Sequence, residues 1–251
     1  MFNRWFLSAV MVAAVGGLAL VIYLDSGTDA AEDEYAAPSN HGMVGTSAET
    51  TGNKQDKNSI SLTAADQQRV TYIMAVLDTL SLPRARLPYY GELILMHTAA
   101  GIYSEAASWA ERRAHQTNSL PDYIHAGSLY FSAVQQKNDH MRIKESANMA
   151  KEMYIKALEL QPDDPDILTD LAVVYMSLLQ PDRSYLMLEK ALRADPDHLR
   201  ANFNTGVLLH YIGNPRESIP FFDRSLDLAE NTDFEMVVQE YLDRHHHDFY
   251  H

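Results

Sequence analysis

The chain divides by the spacing of its apolar residues into three parts. From Trp5 to Leu24 it reads WFLSAVMVAAVGGLALVIYL, without a charged residue. About 20 residues at 1.5 Å rise make roughly 30 Å, the thickness of a bilayer core, so residues 5–24 are expected to form a transmembrane helix. Residues 25–60 lack hydrophobic periodicity, and acidic residues outnumber lysines among their Gly, Ser, Thr and Asn. Such a stretch buries too little apolar area to offset its ordering entropy and reads as a flexible acidic linker. From residue 61 onward apolar residues recur at spacings of three and four, the signature of amphipathic helices.

The first of these helices opens at Thr63-Ala-Ala-Asp66, a capping-box pattern, and carries Val70, Ile73, Met74, Leu77 and Leu80 on one face, with Pro83 and Pro88 expected to end it. Further on, two stretches align at an offset of 34. Ala157-Leu158-Glu159-Leu160-Gln161-Pro162 matches Ala191-Leu192-Arg193-Ala194-Asp195-Pro196. Within these units Leu171, Ala172 and Tyr175 mark a first helix, and Leu188 and Ala191 its partner. Gly206, Phe222 and Ser225 take the equivalent places of Ala172, Leu188 and Ala191 one unit later. A small residue lets two helices approach while a large one fills the groove beside it. Pro165 and Pro215 fit first-turn prolines behind Asp164 and Asn214 caps.

This 34-residue pattern of Leu-(Gly/Ala), Tyr, Ala, Phe/Tyr, Ala and Pro resembles the tetratricopeptide repeat family. The resemblance implies an all-α fold, a right-handed solenoid of antiparallel helix pairs in a domain over 61–244, preceded by the transmembrane helix. Repeats are expected at about 88–119, 120–164, 165–198 and 199–232, with a capping helix at 233–243 and a His-rich tail at 245–251. The unit at 120–164 carries about 11 extra residues around Gln136–Ser146, either as a longer helix pair or as a surface loop.

In this family the first helices of the pairs line a concave groove. By position the resemblance places Ile124, Ser128, Phe131, Thr169, Val173, Met176, Phe203, Val207, His210 and Tyr211 there, a mostly apolar set suited to a peptide or protein segment. It implies that substituting Phe203 and Tyr211 by alanine abolishes partner capture while the array stays folded. Members that grip a carboxyl terminus use Lys and Asn at places held here by Thr169, Val173, Phe203 and Val207, which argues against that mode.

Charge narrows the options. The 251 residues carry a formal charge of −14, which disfavours nucleic acid as a partner. Arg4 precedes the apolar segment and Asp25, Asp29, Glu32, Asp33 and Glu34 follow it. The positive-inside rule then leaves residues 1–4 in the cytoplasm and exports the rest, in a bacterium to the periplasm. A cleaved signal peptide is the alternative, although Thr28-Asp29-Ala30 makes a poor cleavage site. There are no cysteines, which removes thiolate metal sites and cysteine nucleophiles. His245-His246-His247 and His251 do not converge on one helix face and read as a solvated tail, so no metal or other cofactor is expected. No catalytic motif appears. The sequence therefore points to a membrane-tethered adaptor that is not an enzyme, binding a protein partner for assembly of an envelope or membrane complex. A permanent accessory subunit is the alternative, and a metal-dependent enzyme on the histidine tail is a more remote one.

Overall fold

The computed structural model describes residues 61–136 and 140–245, and every regular element among them is helical. The expected transmembrane segment 5–24, the linker 25–60 and His246–His251 of the tail lie outside the described residues. Among those described, no helix is long and apolar enough to cross a membrane. The order is α1 (Ala64–Thr79), α2 (Pro83–Ala99), α3 (Tyr103–Thr117), α4 (Leu120–Gln136), α5 (His140–Leu160), α6 (Pro165–Ser177), α7 (Pro181–Ala194), α8 (Leu199–Tyr211), α9 (Pro215–Ala229) and α10 (Asp233–Arg244). Helices α2 to α9 form four consecutive pairs, with α1 before them and α10 after.

The ends of the helices follow from local chemistry. At α1, Thr63 Oγ1 accepts the Asp66 N–H at 3.1 Å and donates to the Asp66 carboxylate at 2.6 Å. Asp164 caps α6 by accepting the Ile167 N–H at 3.0 Å. Asn214 stands at the corresponding place before α9, but its side chain makes no cap bond, and its main-chain oxygen takes the Glu217 N–H at 3.2 Å instead. Pro83 does not end α1. It opens α2, and Pro88 lies inside that helix, so the first pair starts ahead of the expected residue 88. A first-turn proline forfeits no helical bond, because its N–H would have had no partner.

The turn from α6 to α7 repeats that from α8 to α9. Gln180 N–H reaches Tyr175 O at 2.9 Å, and Asn214 N–H reaches Leu209 O at 2.8 Å. These close a left-handed helix terminus, which Gly213 fills with φ 87° and Leu179, 34 residues earlier, with φ 56°. A leucine there costs about 1–2 kcal/mol in Cβ–carbonyl crowding. Leu179 is 61% exposed and packs little in return. Leu179→Gly is therefore expected to stabilise the protein by about 0.5–1 kcal/mol, after the extra chain entropy of glycine, as a raised denaturation midpoint.

Packing runs along the array as a ribbon. One cluster joins Ile94, Ala110, Tyr130, Met153 and Tyr175, and a second joins Leu168, Leu188, Phe222 and Tyr241. The small positions work as the spacing suggests. A Cβ on Gly206 would sit 2.8 Å from the Phe222 ring, and one on Gly127 would sit 3.0 Å from the Tyr154 ring. At the start of the array Ile73 and Leu77 of α1 cover Tyr90 and Leu93 of α2. At its end α10 buries Val237, Val238 and Tyr241. His245 belongs to this cap and not to a solvated tail: it is buried, its ring centroid 4.7 Å from Tyr241 and 4.8 Å from His210.

The additional residues of the second pair lengthen its helices. At 17 residues α4 is four longer than α6, and at 21 residues α5 is seven longer than α7. Part of the added length is packed, since Ser146 is buried and Ile143 leans on the core.

Candidate partner-binding face

The ten residues assigned to the groove fall into two groups. Thr169, Val173, Met176, Phe203 and Val207 are buried, as is Phe131. Thr169 Oγ1 donates to Pro165 O at 2.6 Å, so its hydroxyl is engaged within α6. Phe203 meets Phe222, Phe234 and Tyr241 edge to face at centroid distances of 6.0, 5.4 and 5.7 Å. That makes it an aromatic hub tying α8 to α9 and α10, not a surface contact. His210 is half-buried, its Nδ1 2.6 Å from the Tyr241 hydroxyl. Ile124 and Ser128 are half-buried, and Tyr211 is exposed.

A trend along the array organises these positions. Leu95, Ser128, Val173 and Val207 occupy one place in the first helices of the four pairs. Leu95 is 72% exposed and Ser128 half-buried, while Val173 and Val207 are 7% and 4% exposed. The positions four residues before these show the same trend: Gly91 and Ile124 are half-buried, Thr169 and Phe203 buried. At these two positions the face is open or half-open over α2 and α4 and closed over α6 and α8, although farther along it Phe131 of α4 is buried and Tyr211 of α8 exposed. Leu95 was not among the sequence-derived candidates, although its place in the register, two residues after Leu93, could have supplied it.

Between α4 and α8 runs a chain of polar side chains that the spacing did not reveal. Ser128 Oγ lies 3.3 Å from the Tyr154 hydroxyl. Burial, with the Asp170 carboxylate nearby, pushes the Tyr154 phenol well above the usual tyrosine range. Asp170 is paired with Arg200 of the next unit, whose guanidinium also lies 3.4 Å from Asp166. His198 completes the chain through Nε2, 3.1 Å from Asp166. Both Arg200 and Asp170 are largely sheltered, with side chains 16% and 19% exposed. A second joint links the first two pairs. Burial raises the Asp122 carboxyl, but bonds from Thr117 and Ser119 and the nearby Arg113 outweigh it and hold the group below its usual range.

A pocket of about 210 Å³ is lined by Tyr185, Glu189, Leu192 and Arg193 of α7, Thr205 of α8 and Phe221 of α9. That is smaller than the roughly 300–1,000 Å³ typical of small-molecule sites. No group of three or more metal-ligating side chains converges among the described residues.

Comparison with known proteins bears on the architecture. No protein-family model matches the sequence. A 65-residue stretch, 26% of this chain, is 35% identical to the protein O-mannosyl-transferase TMTC3 of Homo sapiens. A stretch of 105 residues, 40% of the chain, is 28% identical to the protein O-mannosyl-transferase TMTC1 of Mus musculus. The matches span 7% and 10% of those proteins, a tenth or less of their length. Among solved structures, TTC0263, a thermophilic TPR protein of Thermus thermophilus, superposes with a TM-score of 0.52. The superposition covers 70% of this chain and 98% of that one at 18% identity. The fold is that of the tetratricopeptide repeat. At that identity the likeness speaks for the fold of the tetratricopeptide array alone.

Proposed function

We propose that the protein is a tetratricopeptide scaffold that holds a protein or peptide segment against the open half of its repeat face, over α2 and α4. The observation that carries this reading is the fall in exposure from Leu95 to Val207. An exposed leucine on α2, with half-buried Ile124 and Ser128 on the same face of α4, offers an apolar anchor and a polar group, the composition that protein interfaces use. Binding is favoured over catalysis because the polar groups that do meet, from Ser128 to His198, are engaged with one another across joints between repeats. The apolar run 5–24 and the acidic residues after it support a membrane tether with the array on the extracytoplasmic side, serving assembly of an envelope or membrane complex.

Capture from native membranes in mild detergent tests the reading. Leu95→Asp is expected to reduce recovery of the partner at least about ten-fold, as truncating an interface anchor does, without shifting the thermal midpoint. Tyr211→Ala, at the far end of the face and 42% exposed, is expected to change capture by less than about two-fold. Undiminished capture by Leu95→Asp would remove the open half from consideration.

A further inference from the structure

His198 stands between α7 and α8 and caps α8 with its ring. Its Nδ1 lies 3.1 Å from the Ala201 main-chain nitrogen, and its Nε2 3.1 Å from Asp166 Oδ1. A backbone N–H can only donate, so Nδ1 must offer its lone pair and the ring proton must sit on Nε2, aimed at Asp166. The cap thus requires a neutral imidazole in one tautomer. A second proton can go only to Nδ1, where it would confront the Ala201 N–H.

We propose that His198 is an acid-operated latch on the joint between the third and fourth helix pairs. Protonation at Nδ1 breaks the cap and releases the first turn of α8. That turn carries Arg200, so the pairing with Asp170 and Asp166 on α6 loosens with it.

The charges around the ring set the direction. Asp166 attracts a cation, but its side chain is 68% exposed and solvent screens it. The His198 hydrogen bond, against burial and with Arg200 adding to it, holds the Asp166 carboxyl below its usual range, so Asp166 keeps its charge in mild acid. Arg200 on α8 approaches the same Asp166 oxygen and opposes a second cation. Asp170 on α6 is held by Arg200. In the turn itself Asp195 accepts the Asp197 N–H at 3.0 Å, and Asp197 pairs with Arg224 of α9 at 2.5 Å. The positive end of the α8 dipole also disfavours a cation at the cap. The closed joint therefore demands the neutral ring. Its contribution is present while the ring is neutral and is lost when Nδ1 takes a second proton, so acid opens the joint.

The test is amide exchange at Ala201, Asn202 and Phe203 in the full-length protein in detergent micelles, corrected for the intrinsic pH dependence. Opening of this turn is expected to rise about five-fold from pH 7.5 to pH 5, the loss of one cap. In His198→Asn, whose amide oxygen caps without titrating, the rise should stay below about two-fold. Asp166→Asn keeps an acceptor but removes the charge that attracts the second proton, and should move the transition to lower pH. Nitrogen-15 spectra at pH 7.5 should show the proton of His198 on Nε2. Equal pH responses in wild type and His198→Asn, an unmoved transition in Asp166→Asn, or a proton on Nδ1 at pH 7.5 would each overturn the proposal.

Discussion

Phe203→Ala is expected to lower the free energy of unfolding by about 3–5 kcal/mol, the cost of removing a fully packed aromatic from a core. The ring is 2% exposed and touches three others from α9 and α10 edge to face. Each such contact adds about 0.5–1.5 kcal/mol beyond area burial. In a repeat array the damage should stay local, since each unit is held by its neighbours. Denaturant titration gives the total, and amide exchange should place the loss in α8, α9 and α10. This reverses the expectation from the repeat pattern, in which Phe203 was a surface contact whose loss would spare the fold.

The next largest effect is expected at the ion pair between units. Arg200→Leu leaves Asp170 sheltered without its cation, and should destabilise the protein by about 2–3 kcal/mol, below the 3–5 of a fully buried pair because both groups keep some solvent. Adding Asp170→Leu should recover part of that loss, since an apolar pair of similar volume is often no worse than a sheltered ion pair. A double-mutant cycle read by denaturation measures the coupling. Additive losses would mean that the two charges do not act on each other.

How far the sequence could be read depended on whether a feature was local or relational. Helix pairing was legible because Ala172 and Gly206 sit against Leu188 and Phe222 at one offset, and the packing of Phe222 on Gly206 bears the logic out. The Thr63 and Asp164 caps were legible because a cap acts within three residues. The face was not. Val173 and Leu95 hold the same place in the register, yet one is covered and the other open, because coverage depends on the neighbouring helices and not on the residue. The Asp170–Arg200 joint spans 30 residues of sequence and joins two units whose charges look solvated when read alone. His198 was overlooked as a cap because an imidazole caps in one protonation state only, and no spacing rule encodes that. Leu179 hid a left-handed turn that Gly213 advertises one unit later.

The claim that the open half of the repeat face holds a partner is tested most directly by site-specific photocrosslinking in native membranes. A photoreactive residue placed at Leu95 of α2 in the full-length protein should yield one discrete crosslinked partner, while the same probe at exposed Leu186 of α7 should yield none. A partner captured from Leu186 but not from Leu95 would contradict the account.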